Sequence, residues 1–104
     1  MELKQLPRES TLALITEMED NSIAFNTESN QISGELGELG EKKRLLQVAM
    51  NKTESGMAQT IMQNMIDEVE ELEENQKVRM RHCQNNSKYY SDIAESLKEA
   101  LKEF

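Results

Sequence analysis

His82 and Cys83 are the side chains best suited to nucleophilic or metal chemistry, and they are adjacent in VRMRHCQNNSK, residues 78–88. Neighbouring residues on a helix point about 100° apart, so the imidazole and the thiol would diverge. The chain has no second histidine or cysteine, whereas a zinc site needs several such ligands. A cysteine nucleophile would also need an orienting group and an oxyanion hole. We therefore expect no catalytic site, no metal site and no cofactor.

Acidic side chains are concentrated in DEVEELEEN, residues 67–75. Carboxylates bind calcium when a loop brings them together at characteristic spacings. Here they fan around a helical segment that also carries Val69 and Leu72. The expected role is a solvated helix face whose acids pair with nearby basic side chains. The basic residues within 78–88 have two interpretations, which are simple charge balance and contact with an acidic partner helix.

The segment SGELGELGE, residues 33–41, places Gly34, Gly37 and Gly40 three residues apart. Each glycine costs a helix about 1 kcal/mol relative to alanine. The segment is therefore a break, a hinge, or a strip that another helix backbone approaches closely. Because Leu36 and Leu39 keep the spacing of the surrounding apolar pattern, a continuous helix is favoured over a break. The glycines then point away from the first packing face and are predicted to contact a partner.

The composition limits the classes of function. A net charge of −8 disfavours binding to nucleic acids and to anionic membranes. No apolar run approaches the roughly 20 residues of a membrane span, so membrane insertion is not expected. The first ten residues lack the apolar region of a secretory signal. This acidic protein is predicted to be cytoplasmic, and export beside a partner by a signal-peptide-independent route is the alternative.

Apolar residues recur every seven positions along both halves of the chain, as they do in helices that pack together. The first half has the row Met18, Phe25, Ile32, Leu39 and Leu46. Its more polar companion row runs from Ile15 to Met50. In the second half, one row runs from Met62 to Phe104 and includes Val69, Cys83, Tyr90 and Leu97. The predicted companion row consists of Met65, Leu72, Arg79, Asn86, Ile93 and Ala100.

A turn is predicted in NKTESG, residues 51–56, at the middle of the chain. Thr53 or Ser55 can cap the second helix, and Gly56 tolerates unusual dihedral angles. The sequence thus predicts an all-α, coiled-coil-like antiparallel two-helix hairpin that forms one domain over residues 1–104. Its helices are expected at about 8–51 and 56–103. Folding at the midpoint would form a waist that is poorly apolar on both arms, with Gln76, Arg79, Cys83 and Asn86 against the stretch that holds Ser22, Phe25 and Ser29.

The segment TESGMAQTIMQNM, residues 53–65, has a glycine, an alanine two residues later and apolar positions that begin a second helix. With the chain length, it resembles the WXG family of helical hairpins of the bacterial type VII secretion system, in particular the small helical partners of LXG effectors. Gly56 matches the family glycine, whereas Glu54 occupies the tryptophan position. The family's export signal, a tyrosine followed four residues later by an aspartate or a glutamate, is absent. Ile93 occupies the acidic position after Tyr89, and Ala94 occupies it after Tyr90. The resemblance implies that the chain binds the helical N-terminal domain of an effector and helps to deliver it.

The predicted function is therefore that of a non-catalytic binding partner or targeting chaperone of a larger helical protein. Both a heteromer with that protein and a homodimer remain open. An acidic helical inhibitor and a self-assembling coiled-coil adaptor are the alternatives, and an enzyme is the least expected class. The predicted partner-binding residues are Gly34, Gly37, Gly40, Met18, Phe25, Ile32, Leu39, Leu46, Val69, Leu72, Tyr90, Ile93 and Leu97.

Overall fold

Two long α-helices make up the fold. The computed structural model describes the backbone of residues 2–103 and the side chains of residues 8–103. Helix α1 spans Glu2–Lys52 and helix α2 spans Gly56–Leu101, with residues 53–55 between them. Contacts between the helices, given below, pair residues early in α1 with residues late in α2. The predicted all-α antiparallel hairpin is thereby confirmed.

The helix boundaries agree with the prediction at the turn and differ at both outer ends. Helix α2 ends at Leu101 rather than near residue 103. Helix α1 begins at Glu2 rather than near residue 8. The residues before Pro7 are mostly good helix formers, and their propensity extends the helix beyond the start signal that the proline provides. Phe104, predicted to end the apolar row of the second half, lies outside the described residues.

Helix α1 continues without interruption through the glycine segment 33–41. No glycine among the described residues has a positive φ, so these glycines do not bend the backbone into a turn. The expectation of a continuous helix is confirmed, and the alternative of a break is wrong. Gly56 is the first residue of α2 and also has an ordinary φ, so the dihedral freedom predicted for it is not used.

The turn is held by hydrogen bonds from the residues that the sequence indicated. The Oγ atom of Ser55 accepts a hydrogen bond of 3.2 Å from the Ala58 backbone N–H, so Ser55 is the N-cap of α2. Thr53 Oγ1 accepts a 3.2 Å hydrogen bond from the Ser55 N–H. The side-chain amide of Gln59 donates to the Thr53 carbonyl oxygen at 3.0 Å. These bonds satisfy backbone groups that the ends of two helices leave unpaired.

Both heptad rows predicted for α1 face α2. Ile15, Ser29 and Ile32 are buried, and the other members of the two rows between Ile15 and Met50 are half-buried. The residues between the rows are mostly exposed. The seven-residue repeat therefore locates the packing face of α1 correctly.

The companion row predicted for α2 is wrong by one position. Five of its six members are exposed and Asn86 is half-buried. The exposed members are Met65, Leu72, Arg79, Ile93 and Ala100. The inward row is instead Ile66, Glu73, Met80, Ser87, Ala94 and Leu101. A residue on a helix has neighbours on the same face at both i+3 and i+4, and α2 packs through the i+4 neighbours. Glu73 and Ser87 concealed this row, because each is a polar residue that finds its partner only in the folded hairpin.

One compact unit, here called the terminal unit, consists of Met1–Ser29 and His82–Phe104. Ser22 Oγ donates to the Ser87 carbonyl oxygen at 2.8 Å, and Ser87 Oγ donates to the Ser22 carbonyl oxygen at 2.9 Å. The rings of Phe25 and Tyr90 stack with centroids 5.7 Å apart. Ser87 and Tyr90 therefore lie opposite Ser22 and Phe25. Of the four residues predicted for this place, Cys83 and Asn86 belong to the terminal unit, whereas Gln76 and Arg79 belong to the turn unit, which corrects their predicted position.

The second compact unit, here called the turn unit, consists of Asn30–Arg81. Its buried apolar side chains are Ile32, Ile66 and Val69. An ion pair lies in the same seam, with Lys43 Nζ 2.8 Å from Glu73 Oε1 and both side chains half-buried. The hydrogen bond to Glu73 raises the pKa of the Lys43 ammonium, with burial opposing the shift and the charges of Glu73 and Glu70 adding to it.

We expect this ion pair to make the hairpin less stable at alkaline pH than at neutral pH. Because the folded-state pKa of Lys43 is raised, the stabilisation is fully present below the ordinary lysine pKa of 10.5 and is lost as the pH rises through the folded-state value. Urea unfolding well below and well above that pH should show a larger loss of unfolding free energy for the wild type than for Lys43→Met/Glu73→Leu. The double variant should be at least as stable as the wild type at neutral pH. Equal alkaline losses in the two proteins would contradict this role.

Candidate functional site

Ile32 and Val69 are predicted partner contacts, but the hairpin itself encloses them. Their exposed fractions are 1% and 2%, and both lie in the seam between α1 and α2 of the turn unit. A partner could reach them only if the two helices separated. The structure thus assigns them to the core of the hairpin, which corrects their predicted role as a binding surface.

The other predicted contacts on the heptad rows are half-buried, Leu39 and Leu46 in the turn unit and Met18, Phe25, Tyr90 and Leu97 in the terminal unit. Leu39 and Leu46 line the groove described below, and the rings of Phe25 and Tyr90 stack on each other. Each of the six keeps part of its surface accessible, and their contact with a partner stays a prediction.

Leu72 and Ile93 are exposed, in contrast to the inward position predicted for them. Leu72 keeps 51% of its surface accessible, and Ile93 is also classed among the exposed large apolar residues. They lie in separate units, Leu72 in the turn unit and Ile93 in the terminal unit. Because the companion row of α2 was predicted one position away from the true inward row, both residues lie outside the seam. A partner can therefore reach them.

The glycine strip lies on the outer side of α1, with Gly34 and Gly37 exposed and Gly40 half-buried. A Cβ atom added at any of the three would meet no neighbouring atom within 4 Å among the described residues. Close packing within the hairpin therefore does not require these glycines. Their predicted contact with a partner stays a prediction.

The turn unit has an open apolar groove along one flank of α1, and Leu72 and Gln76 of α2 border its first part. A cavity of about 390 Å³ is lined by Glu35, Glu38, Leu39, Lys42, Leu72 and Gln76. A second cavity of about 440 Å³ is lined by Glu38, Glu41, Lys42, Leu45, Leu46 and Ala49. Because the cavities share Glu38 and Lys42, they form one continuous surface, called the flank groove below. It follows α1 for about 20 Å, or four helical turns.

Exposed apolar side chains extend this flank towards the turn. Leu45 keeps 71% of its surface accessible, and Ile61 and Met65 are also exposed. Met65 lies one heptad before Leu72, and Ile61 lies four residues before Met65, so the three share one side of α2. Sequence reasoning missed Leu45 and Ile61. Each of them directly precedes a member of a seven-residue row without belonging to the row. An apolar residue at such a position lies at the edge of the packing face, and this was the available signal.

Carboxylates surround the apolar part of the flank groove. Glu35, Glu38 and Glu41 line it, and Lys42 is the one basic residue among the lining side chains. Glu68 lies on the α2 side between Met65 and Leu72, three residues after one and four before the other. The side-chain amide of Gln76 donates a hydrogen bond to Glu35. Within residues 8–103, no ion pair involves Glu38, Glu41 or Glu68.

The terminal unit also exposes large apolar side chains, among them Ile23, Tyr89 and Ile93. A shallow cavity of about 180 Å³ in the terminal unit is lined by Glu19, Ser22, Ile23, Ser91, Ala94 and Glu95. His82 is exposed and Cys83 is buried, so the two side chains diverge as expected. Among the described residues, no three His, Cys, Asp or Glu side chains converge to hold a metal ion. Over the same residues, neither helix has a segment apolar enough to cross a membrane.

The fold and the flank groove together define an all-α helical hairpin with an uncovered apolar side. Comparison of the chain with protein families, with curated proteins and with solved structures found no match. The class of the protein therefore follows from its own geometry, and the resemblance to the WXG family stays a prediction.

Proposed function

We propose that this chain is a non-catalytic binding partner of a larger helical protein and acts as its targeting chaperone. The observation that carries the proposal is the exposure of large apolar side chains on one flank of the turn unit. Leu45, Ile61 and Leu72 are each more than half accessible. Complete burial of such a side chain contributes about 1.5–3 kcal/mol, so a partner that covered several of them would gain substantial binding free energy.

The distribution of polar and apolar residues in the turn unit supports the proposal. Lys43 and Glu73 occupy the seam, while Leu45 and Leu72 remain outside it. A hairpin that functioned alone would gain more stability by burying the leucines and exposing the charged pair. The opposite arrangement fits a chain whose leucines become buried in a complex.

A more specific form of the proposal assigns the partner to the LXG effectors of the type VII secretion system. Its support is the resemblance of residues 53–65 to the WXG family, together with the helical-hairpin fold. The mode of binding would place helices of the partner beside the hairpin, with apolar residues at i, i+3, i+4 and i+7 meeting its exposed flank. The hairpin would then protect the apolar surface of the effector until delivery.

Co-expression tests the proposed function independently of the surface involved. The chain would be produced together with the product of a neighbouring long open reading frame that has a helical N-terminal region and a toxin-like C-terminal region. We expect a heteromer that survives size-exclusion chromatography, with its mass measured by light scattering. An unrelated helical protein of similar size is the control. If the chain elutes alone or only as a homodimer in every case, the proposal is wrong.

Charge reversal separates this function from that of an acidic inhibitor. Glu70, Glu71 and Glu74 are exposed and do not line the flank groove. Replacing all three by lysine should leave the heteromer largely intact, because surface charges mainly alter association rates. Loss of the complex on this reversal would favour recognition through the acidic surface instead.

A further inference from the structure

We infer that the flank groove of the turn unit binds an amphipathic helix whose apolar stripe is bordered by lysine or arginine side chains. The inference rests on the proposed function and deepens it, because it assigns the binding surface and the chemistry of the partner. Three features of the groove carry the inference. They are the spacing of its cavities, the sign of the charges around it and the poor fit of a second copy of this chain.

The spacing of the two cavities fits the anchors of a docked helix. Leu39 lines the first cavity and Leu46 lines the second. These leucines are seven residues apart on α1, which corresponds to about 10 Å along the helix axis. Apolar side chains at i and i+7 of a partner helix lying along α1 have the same separation. Leu72 forms the α2 wall of the first cavity, so an anchor there would contact both helices of the hairpin.

The charge around the groove selects the polar residues of the partner. Glu38 and Glu41 line the groove and Glu68 lies beside Leu72, with Lys42 as the one basic group among the lining side chains. No ion pair within residues 8–103 neutralises these three carboxylates. A helix with lysine or arginine beside its apolar stripe would place cations against them. Electrostatic complementarity of this kind sets specificity and association rate.

A second copy of the chain fits the groove less well. Two identical grooves facing each other would juxtapose the same excess of carboxylates over Lys42. Like charges brought together at an interface cost several kcal/mol. In that arrangement Lys42 is the one basic lining side chain that each copy supplies. The charge pattern therefore favours a partner of opposite sign over self-association through two facing grooves.

Two synthetic peptides provide the probes. The first is a helical peptide with leucines at i, i+3, i+4 and i+7 and lysines on both sides of this stripe, and the second has glutamates in place of the lysines. Binding to the full chain would be measured by fluorescence anisotropy at low and high salt. We expect the lysine peptide to bind at least tenfold more tightly than the glutamate peptide. The difference should shrink at high salt, where exposed charges are screened.

Two pairs of matched variants locate the site. Leu72→Asp should weaken binding of the lysine peptide at least tenfold, whereas Ile23→Asp, an equivalent change at an exposed residue of the terminal unit, should leave it unchanged. Glu38→Lys/Glu41→Lys should reverse the preference between the two peptides. Glu9→Lys/Glu17→Lys changes the net charge equally at exposed positions of the terminal unit and should preserve the original preference. Circular dichroism would verify that every variant remains helical.

The outcomes distinguish this inference from the proposed function. Equal binding of the two peptides, absence of binding, or wild-type affinity of Leu72→Asp would overturn the inference. A homodimer in sedimentation equilibrium that Leu72→Asp dissociates would also overturn it, because the occupant of the groove would then be a second copy. None of these results depends on the heteromer formed in co-expression, whose absence would count against the proposed function itself.

Discussion

Replacing Ile32 by alanine should lower the free energy of unfolding by about 2–4 kcal/mol, the range for removing a large aliphatic side chain from a core. Among the residues whose side chains the structure describes, Ile32 is the most deeply buried large apolar residue, with 1% of its surface exposed. In a small domain, 1 kcal/mol corresponds to about 4–8 °C in Tm. The variant should therefore melt at least about 8 °C below the wild type in a circular dichroism experiment.

Ile23→Ala is the matched control for this substitution. Ile23 lies on the same helix, but 63% of its surface is exposed. Truncation of an exposed side chain changes stability by no more than about 0.5 kcal/mol. Similar melting temperatures for the two variants would show that Ile32 is not enclosed by α2, and the seam described above would be wrong.

Replacing Gly34, Gly37 and Gly40 together by alanine should stabilise the hairpin by about 2–3 kcal/mol, since each exchange contributes up to about 1 kcal/mol in a helix. The added methyl groups meet no neighbouring atom within 4 Å among the described residues, so no steric cost opposes the gain. Chemical denaturation would measure the increase as a higher urea midpoint. No change, or a loss, would mean that this segment is not helical in solution.

Ala24→Gly is the reverse control, because Ala24 is exposed in the middle of the same helix. It should cost about 1 kcal/mol. The partner contact predicted for the glycine strip has its own readout in Gly37→Leu. If a partner backbone lies on the strip, this variant should remain folded but bind the partner less tightly. Equal affinity of the mutant and the wild type would leave the flank groove as the remaining candidate surface.

Sequence periodicity predicts most of this fold, because the residues that pack α1 and cap the turn carry their signals locally. Ile32 and Leu39 belong to a repeat that the structure preserves, and Ser55 is a recognisable N-cap residue. The inward row of α2 could not be identified in the same way. Glu73 is polar and indicates a solvent position, but in the structure its carboxylate is satisfied by Lys43 of the other helix.

Prediction of the candidate site from the sequence also required knowing which row of α2 faces inward. Leu72 was predicted to contact a partner because it belongs to an apolar row that was expected to face α1. In the structure this row faces outward, and Leu72 is therefore exposed. The groove combines Leu39 and Lys42 of α1 with Leu72 and Gln76 of α2. Which residues of two helices meet on one flank depends on their register, and a seven-residue repeat does not determine that register.

Hydrogen exchange measured by mass spectrometry, on the free chain and on its complex with the co-expressed partner, tests the central claim most directly. Docking on the flank groove should slow exchange in residues 35–49 of α1 and 65–76 of α2. Residues 12–25 and 84–97, in the terminal unit, should exchange at similar rates in both states. Protection confined to the terminal unit, or unchanged exchange throughout the turn unit, would contradict the account.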